Sequence, residues 1–182
     1  MNRAPPAGVI NLLKNEMRSR VSSWKMLTLD SQGRCQAFGY DQTGNLINVI
    51  DYESSSSGLG SKLNVQYVVR FQPTRNEVKI LRYQSAESLG QDDPSGIYVG
   101  GTDYYYFERN GKRYLSLCTK TGIDGQFQHW MQVDWDTESH LTGLRYHRGR
   151  WDGSSEPITL QSAQPYFNQW FDMWGEFGKG MI

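Results

Sequence analysis

Apolar residues at helical spacing open the chain, in the stretch AGVINLLKNEMRSRV. They recur every three or four residues, while most of the charged residues lie outside their stripe. The apolar set is Val9, Leu12, Leu13, Met17 and Val21. Pro5, Pro6 and Gly8 interrupt the chain just before it or at its start. The pattern predicts one amphipathic helix over residues 8–21 that lies against a larger body.

From residue 24 to about residue 160 the helical spacing disappears. Short runs rich in Val, Ile, Tyr, Phe and Thr alternate with turn sequences such as YDQTGN and ERNGKRY, which is typical of strands joined by tight hairpins. Nine or ten strands are predicted, at residues 24–30, 34–40, 45–52, 63–72, 77–84, 97–108, 112–120, 127–135 and 140–148, with 157–160 as the tenth. Because most connections are short, neighbouring strands should pair antiparallel as a meander.

A meander of this length leaves exposed edges, which closure of the sheet removes. We therefore predict a mainly β protein in which residues 24–160 form a closed or nearly closed barrel. The whole chain, residues 1–182, is expected to be a single domain. The sequence shows no repeat of fixed period, which argues against a propeller.

The Asn-Gly pair in ERNGKRY predicts a two-residue hairpin loop at Asn110 and Gly111. The cross-strand pairs expected on one face are Glu108–Arg113, Tyr106–Leu115 and Tyr104–Leu117, and those on the other face are Phe107–Tyr114, Tyr105–Ser116 and Asp103–Cys118. Both faces of this ribbon therefore carry aromatic side chains. A half-solvated sheet keeps one face polar, so something besides water is expected to cover the second face.

The chain closes with PYFNQWFDMWGEF, in which aromatic residues share one helical stripe. These residues are Phe167, Trp170, Phe171, Trp174 and Phe177. The pattern predicts a helix over residues 164–178 with Pro165 in its first turn. The interpretation we favour is that this helix covers the second aromatic face, on the outside of the barrel. The alternatives are that the stripe binds a partner protein, a second copy of the chain or a membrane interface.

The bulk composition excludes several classes of protein. The chain has 182 residues, and its 19 Lys and Arg balance its 19 Asp and Glu, so it has no overall field that attracts nucleic acid. RYHRGRW and ERNGKRY do interleave basic and aromatic residues, yet a nucleic-acid partner is not expected. No apolar run approaches the roughly 20 residues that cross a bilayer, and the N-terminus does not resemble a secretory signal. A cytoplasmic location is therefore expected, or a soluble location in another compartment if the chain is a processed form. Cys35 and Cys118 are expected to be free by default, with one disulfide as the alternative.

Residues for catalysis or metal binding are not evident in the sequence. The three histidines, His129, His140 and His147, lack the spacing of metal ligands within a strand or helix, so no metal site is predicted. Cys118 has no activating base nearby in the sequence, and a strand cysteine is usually an inert apolar residue. The catalytic residues and any cofactor remain unassigned.

One strand carries a polar group that could bind a ligand. By strand alternation, Trp130, Gln132 and Asp134 share a face, and hairpin pairing places Arg145 on it as well. If this face lines the barrel, the four side chains form a pocket for a ligand with polar groups. If it faces outward, which we favour, it is a solvated surface with an arginine over an indole.

The outline of a helix, then SSWKM at the first strand, a long meander and a closing helix resembles the calycins. That superfamily includes lipocalin-like barrels, fatty-acid-binding proteins and the bilin lyases. Trp24 stands where lipocalins have the Trp of a Gly-x-Trp motif, although the glycine position here is Ser22. The resemblance implies that an arginine packs on this tryptophan, and Arg145, Arg148 and Arg150 are the candidates. It assigns no catalytic residue.

Together these features predict a non-catalytic binding protein that holds or loads an elongated apolar or conjugated small molecule, for example a tetrapyrrole-type chromophore. A loading role would count as a lyase activity. The expected cavity is lined by Tyr104, Tyr106, Leu115 and Leu117, and Trp24 closes one end. The alternative is an assembly protein with a solidly packed barrel. It would bind a protein partner through its aromatic C-terminal helix or an exposed aromatic face of the sheet.

Overall fold

The computed structural model of the protein describes residues 4–28, 31, 33–53, 62–85, 96–149 and 154–182. The helices and strands are α1 (Ala7–Ile10), α2 (Asn15–Arg20), β1 (Ser23–Thr28), β2 (Arg34–Tyr40), β3 (Leu46–Glu53), β4 (Lys62–Gln72), β5 (Glu77–Gln84), β6 (Ile97–Arg109), β7 (Lys112–Thr121), β8 (Phe127–Trp135), β9 (Leu141–Arg148), β10 (Glu156–Ile158) and α3 (Leu160–Trp170). Short 3-10 turns lie at Pro73–Arg75 and Lys179–Met181, and a π-helical turn lies at Trp174–Gly178. No described helix is long and apolar enough to cross a membrane.

The ten strands form one antiparallel meander in which each strand pairs with the next along the chain, from β1 to β10. The predicted mainly β class and strand positions are thus confirmed to within a few residues at each end. The predicted closure is wrong, because β1 and β10 stand at the two ends of the order and the sheet is not closed into a barrel. The closed barrel that the calycin resemblance implied is therefore not present.

The hairpin turns follow the local chemistry of their sequences. In YDQTGN, the Asp41 carboxylate accepts hydrogen bonds from the backbone N–H groups of Thr43 and Asn45, both at 2.9 Å, and Gly44 has a φ of 84°. In ERNGKRY, Asn110 and Gly111 have φ values of 54° and 76°, as a type I′ turn requires. Both turns confirm the predictions made from their sequences. The two longer polar connections between strands, ESSSSGLGSK and QSAESLGQDDPSG, lie largely outside the described residues.

The N-terminal segment is two short helices and not the single helix predicted over residues 8–21. Lys14 breaks it, since its backbone is extended (φ −55°, ψ 138°). The Lys14 N–H lies 3.4 Å from the side-chain oxygen of Gln66, and its ammonium group donates to the Gly96 carbonyl at 2.8 Å. These bonds to the strands replace the helical bonds that Lys14 gives up. The apolar stripe nevertheless faces inward, with Val9, Leu13 and Met17 fully buried.

Contacts divide the chain into two compact units, Met1–Val69 with Leu81–Val99 and Arg70–Ile80 with Gly100–Ile182. In the first unit, residues 7–20 cover a mainly aliphatic core to which β2, β3, β4 and β5 contribute. Its buried residues are Val9, Leu13, Met17, Ala37, Ile47, Ile50, Tyr52, Leu63, Val68 and Leu81. Trp24, the predicted plug of a barrel, is half-buried and packs against this core.

In the second unit, the segment from α3 to the C-terminus packs on β6, β7 and β8. We call residues 160–182 the C-terminal segment. Its buried residues are Ala163, Phe167, Phe171, Trp174, Gly178 and Met181. They meet an interior strand face that includes Tyr104, Cys118 and Met131, each 0% exposed. The aromatic tail packs on its own chain, as the favoured interpretation expected. That interpretation is wrong about the face, because the segment covers Tyr104, which was predicted to line the cavity, and not the second face on the outside of a barrel.

The C-terminal segment differs in detail from the predicted helix over 164–178. The helix begins earlier because Thr159 caps it, its hydroxyl accepting from the Ser162 N–H at 3.1 Å. Pro165 consequently lies inside the helix and not in its first turn. The helix ends at Trp170, and the chain reverses through Met173, whose φ is 61°. The aromatic residues beyond this reversal reach the sheet from a separate turn.

Candidate functional site

A β-bulge between β6 and β7 decides which side chains share a face. The predicted pairs Glu108–Arg113, Phe107–Tyr114 and Tyr106–Leu115 are present. Beyond them the register shifts by one residue at Ser116, whose hydroxyl donates to the Tyr105 carbonyl at 3.0 Å. Tyr104 therefore faces Cys118, and Leu117 faces Tyr105. The predicted pairs Tyr104–Leu117, Tyr105–Ser116 and Asp103–Cys118 are wrong, because a bulge inserts one residue and exchanges the faces beyond it.

The residues predicted to line a ligand cavity are consequently separated. Tyr104, Tyr106 and Leu115 are at most 3% exposed. The Tyr104 hydroxyl donates to the Asp172 carbonyl at 2.8 Å, which places its ring under the C-terminal segment and not in a cavity. Leu117 lies on the opposite face of the ribbon, where it lines a groove. The structure therefore brings together only part of the predicted set.

That groove, which we call the Trp130 groove, lies across β7 and β8 and has a volume of about 240 Å³. It is lined by Leu117, Thr119, Phe127, Trp130 and Gln132. Leu117 pairs with Gln132 and Thr119 pairs with Trp130 across the two strands, so the four side chains project from one face in two adjacent rows. Register with β9 extends these rows, since Trp130 pairs with His147 and Gln132 pairs with Arg145.

Trp130 forms the main wall of the groove and is held firmly. It is 6% exposed, and its ring stacks on the His147 imidazole with centroids 5.7 Å apart. Thr119 beside it is 5% exposed, and its hydroxyl oxygen is buried without a hydrogen-bond partner in the structure. A buried hydroxyl without a partner is rare, since leaving it unsatisfied costs on the order of 1–3 kcal/mol. The groove thus combines an apolar wall with one unsatisfied polar group.

The predicted polar group on this face is present next to the groove. Arg145 binds Asp134 through two hydrogen bonds, from Nε at 3.1 Å and from the terminal nitrogen Nη2 at 3.0 Å. This neighbour raises the pKa of Arg145. Because both side chains are roughly two-fifths exposed, the pair lies at the solvated surface, as the favoured interpretation expected. Four residues were predicted to share this face. Trp130 and Gln132 line the groove, and the ion pair of Asp134 and Arg145 projects from the same face.

A second groove lies at the start of β8, beside the C-terminal segment. We call it the Trp170 groove, and its volume is about 580 Å³. It is lined by Asp124, Gln126, Phe127, Gln128, His129, Arg148, Gly149 and Trp170. Of these residues, only Trp170 belongs to a site predicted from the sequence, the partner-binding stripe. Nothing in the strand pattern indicated that the β7–β8 turn and the end of α3 would meet.

The centre of the Trp170 groove is a stack of rings. The Trp170 indole lies on the His129 imidazole with centroids 4.2 Å apart and planes 22° apart. His129 Nδ1 and the Tyr146 hydroxyl are 2.5 Å apart, and Tyr166 stacks on Tyr146 at 4.9 Å. Burial, followed by the positive charges of Arg148 and Lys120, lowers the pKa of His129 to about 4. The imidazole is therefore neutral at physiological pH.

The C-terminal segment is fixed to the sheet by a buried ion pair. Lys120 Nζ lies 2.6 Å from the Asp172 carboxylate, and the two side chains are 11% and 9% exposed. Thr102 adds two hydrogen bonds, donating to the same carboxylate at 3.1 Å and accepting from the Asp172 N–H at 2.9 Å. With the Tyr104 bond, Asp172 makes four contacts to strands β6 and β7. We call this set of contacts the Asp172 anchor.

The described residues give little support for catalysis or for metal binding. Cys118 is fully buried, and burial raises its pKa well above the ordinary value, so the thiolate that attacks substrates is disfavoured. Both cysteines are free thiols. Within the described ranges, no three or more His, Cys, Asp and Glu side chains group to hold a metal ion. Arg150, a candidate partner of Trp24, lies outside those ranges.

Comparison with known proteins gives no family. No family model and no curated protein matches the sequence. A protein of unknown function from Bacteroides fragilis NCTC 9343 is similar with 9% identity over 75% of this chain and 88% of its own, at a TM-score of 0.45. A porin-like protein from Bacteroides uniformis ATCC 8492 is similar with 14% identity over 72% of this chain and 57% of its own, at a TM-score of 0.31. Likenesses this weak carry no argument about function.

Proposed function

We propose that the protein is a non-catalytic binding protein whose Trp130 groove holds a small, flat, apolar group that carries one hydrogen-bonding atom. The observation that carries the proposal is the buried Thr119 hydroxyl, which lacks a partner in a groove otherwise walled by Leu117, Phe127 and Trp130. A ligand that supplies the missing hydrogen bond would remove the cost of leaving that hydroxyl unsatisfied. Rotation about χ1 of Thr119 exchanges its methyl and hydroxyl groups and can turn the hydroxyl toward such a ligand.

The size of the groove limits what it can hold. Pockets for drug-sized ligands occupy about 300–1,000 Å³, and this groove has about 240 Å³. It is therefore suited to a single ring or a short chain. If the natural ligand is an elongated or tetrapyrrole-type molecule, only one ring of it would lie against Trp130. Gln132 at the rim offers both a donor and an acceptor to the remainder.

The alternative, a partner protein bound through the aromatic C-terminal stripe, has less surface available. Phe167, Phe171 and Trp174 are at most 3% exposed because they pack within their own unit. A partner could reach them only if the Asp172 anchor opened. The exposed apolar residues of the same unit include Ile123 at 62% and Phe127 at 46%, and Phe127 is already a wall of the groove. We therefore favour the small ligand.

The test compares p-cresol with toluene, two rings of similar shape of which only the first carries a hydroxyl. Binding is followed by the NMR signal of the Trp130 indole N–H, assigned by its loss in Trp130→Phe. We expect p-cresol to shift this signal and to bind more tightly than toluene. Thr119→Val should weaken p-cresol binding by about 5- to 30-fold, the range expected for loss of one hydrogen bond, and should leave toluene binding unchanged.

Thr142→Val is the matched control, since Thr142 is exposed on β9 and lines neither groove. It should alter neither affinity. The proposal fails if neither ring shifts the Trp130 signal. It also fails if Thr119→Val leaves the preference for p-cresol over toluene intact.

A further inference from the structure

We infer that the Trp170 groove is a binding site for a neutral sugar ring. It uses residues other than those of the Trp130 groove, apart from the shared Phe127. Its volume of about 580 Å³ lies within the range of about 300–1,000 Å³ that is common for small-ligand sites. The inference does not depend on the function proposed above.

The aromatic part of the site suits the apolar face of a sugar. The π face of an indole is electron-rich, and the C–H groups of a pyranose carry partial positive charge on one face of the ring. Trp170 is half-buried and stacks on His129 at 4.2 Å, so its orientation is fixed before a ligand arrives. Phe127, 46% exposed, supplies a second ring. Such fixed platforms reduce the entropy that binding costs.

The polar part of the site suits vicinal hydroxyl groups. Five of the eight lining residues carry planar polar groups, namely Asp124, Gln126, Gln128, His129 and Arg148. A sugar hydroxyl both donates and accepts, and amide side chains offer both roles at neighbouring atoms. The carboxylate adds acceptors and the guanidinium adds donors. An apolar ligand would displace water from these groups without replacing its hydrogen bonds, so the second groove calls for a different ligand from the first.

The charges of the site favour a neutral ligand over an anionic one. The lining contains one carboxylate, Asp124, and one guanidinium, Arg148. The imidazole of His129 is neutral above a pH of about 4 because burial and nearby cations lower its pKa. The lining therefore has no net charge at physiological pH. A phosphate or a second carboxylate would find no excess of positive charge to balance it.

The floor of the site is held in shape by the backbone. The Gly149 N–H donates to the Gln128 carbonyl at 2.7 Å, which ties the end of β9 to the start of β8. Asp124 accepts a hydrogen bond from the Gln126 N–H at 3.0 Å, and this fixes the β7–β8 turn. Two walls of the groove are thus ordered by bonds within the protein, as a preformed sugar site requires.

The experiment titrates the protein with maltose, cellobiose, lactose and N,N′-diacetylchitobiose, with glucose 6-phosphate and glucuronic acid as charged comparisons. The readout is the NMR signal of the Trp170 indole N–H, assigned by its loss in Trp170→Phe. We expect at least one neutral disaccharide to shift this signal with millimolar affinity, while the Trp130 signal stays in place. The charged sugars should bind no more tightly than the neutral ones.

Two variants test the polar contacts without disturbing the fold, because Gln126 and Arg148 are exposed. Gln126→Ala and Arg148→Ala should each weaken binding by about 3- to 10-fold, as expected for one hydrogen bond. Gln161→Ala, an exposed amide on α3 that lines neither groove, is the matched control and should have no effect.

A glycan array of the same sugars distinguishes the source of the ligand. Binding to the free disaccharides indicates a soluble oligosaccharide, and binding on the array alone indicates a glycan displayed on a surface. Either result supports the inference. It is overturned if no neutral sugar binds in either format, if the charged sugars bind more tightly, or if Gln126→Ala and Arg148→Ala both leave binding unchanged. A sugar that shifts the Trp130 signal and not the Trp170 signal also overturns it.

Discussion

The two units of the chain each place a terminal segment over part of a β-sheet, but they fix it by different chemistry. In the first unit, residues 7–20 insert three aliphatic or thioether side chains, Val9, Leu13 and Met17, each 0% exposed. In the second unit, the C-terminal segment inserts aromatic rings and adds the buried Lys120–Asp172 pair. The first cover depends mainly on apolar burial, and the second depends on burial together with a directional electrostatic anchor.

The difference shows what a buried charge pair contributes. Apolar burial is non-directional and tolerates small shifts of the covering segment. A buried ion pair adds little net stability because both charges lose their hydration, but removal of one partner is costly. The Asp172 anchor therefore fixes where the C-terminal segment lies. Trp170 lies two residues before Asp172 in the chain. The anchor therefore also fixes where Trp170 lies, and with it the geometry of the Trp170 groove.

The largest effect is expected from breaking the Asp172 anchor. Asp172→Ala leaves Lys120 buried without its partner, which should cost about 3–5 kcal/mol of unfolding free energy. Adding Lys120→Met should restore much of this loss, because a flexible apolar side chain replaces the stranded charge. Chemical denaturation with both fluorescence and circular dichroism measures the two variants. Equal stability of the single and double variants would show that the pair is not coupled.

The corresponding change in the first unit is Leu13→Ala. Deletion of a fully buried leucine side chain typically costs about 2–5 kcal/mol, and Leu13 is 0% exposed. Leu12→Ala is the matched control, since Leu12 is only half-buried and should cost less. The free energies of unfolding of both variants, measured by denaturant titration, test this prediction. If the two substitutions cost the same, the complete burial of Leu13 does not contribute more to the cover in the first unit than the partial burial of Leu12.

Close packing in the second unit is tested by adding one methyl group. A Cβ at Gly178 would lie 2.1 Å from a ring carbon of Trp174 and 2.8 Å from one of Tyr104. Gly178→Ala should therefore destabilise the protein by about 1–3 kcal/mol, as overpacking does. Gly180→Ala is the control, because nothing lies within 4 Å of a Cβ there. Thermal unfolding of the pair measures the difference, and equal melting temperatures would contradict the packing.

A smaller effect concerns pH and a buried carboxyl in the second unit. Burial, together with the neighbouring Glu77, raises the pKa of Asp103 to about 6 from a usual value of 3.8, while Lys79, at 3.6 Å, opposes the shift. The folded protein thus binds more protons than the unfolded chain between these values. The stability contributed by protonated Asp103 is full below pH 3.8 and is lost as the pH rises through about 6.

Asp103→Asn tests this dependence because the amide does not titrate. We expect the variant to gain up to about 3 kcal/mol relative to the wild type between pH 4 and pH 7, because a shift of about two pKa units corresponds to about 3 kcal/mol. Unfolding free energies measured at intervals across this range give the difference at each pH. A constant difference would show that Asp103 has its usual pKa in the folded protein.

Local sequence predicted much of the sheet. Turn residues such as Asp41 and the pair Asn110 and Gly111 fix their hairpins through short-range hydrogen bonds and positive φ angles. The stripe of Val9, Leu13 and Met17 likewise predicted which side of the N-terminal segment is buried. These features depend on residues close together in the chain, so the sequence pattern is sufficient to find them.

The candidate sites were harder to predict because they depend on register. Strand alternation placed Trp130, Gln132, Asp134 and Arg145 on one face, and the structure agrees. The bulge at Ser116 moved Leu117 to that face and added Thr119 to the groove. A serine within a strand does not by itself indicate a bulge. Strand alternation therefore assigned the residues beyond Ser116 to the wrong face. Thr119 was missed for this reason. Phe127 was missed because the pairing of β7 with β8 has a second irregularity, between Lys120 and Thr121.

By itself, the sequence determined the strands, the tight turns and the burial of both terminal segments, since each follows from the spacing of apolar residues and the chemistry of neighbouring ones. Only the tertiary structure decided that the sheet stays open, that Lys14 breaks the first helix and that Asp172 meets Lys120 across 52 residues. Those outcomes depend on pairings between distant residues. Their free energies arise only once the chain has folded, and no local pattern records them.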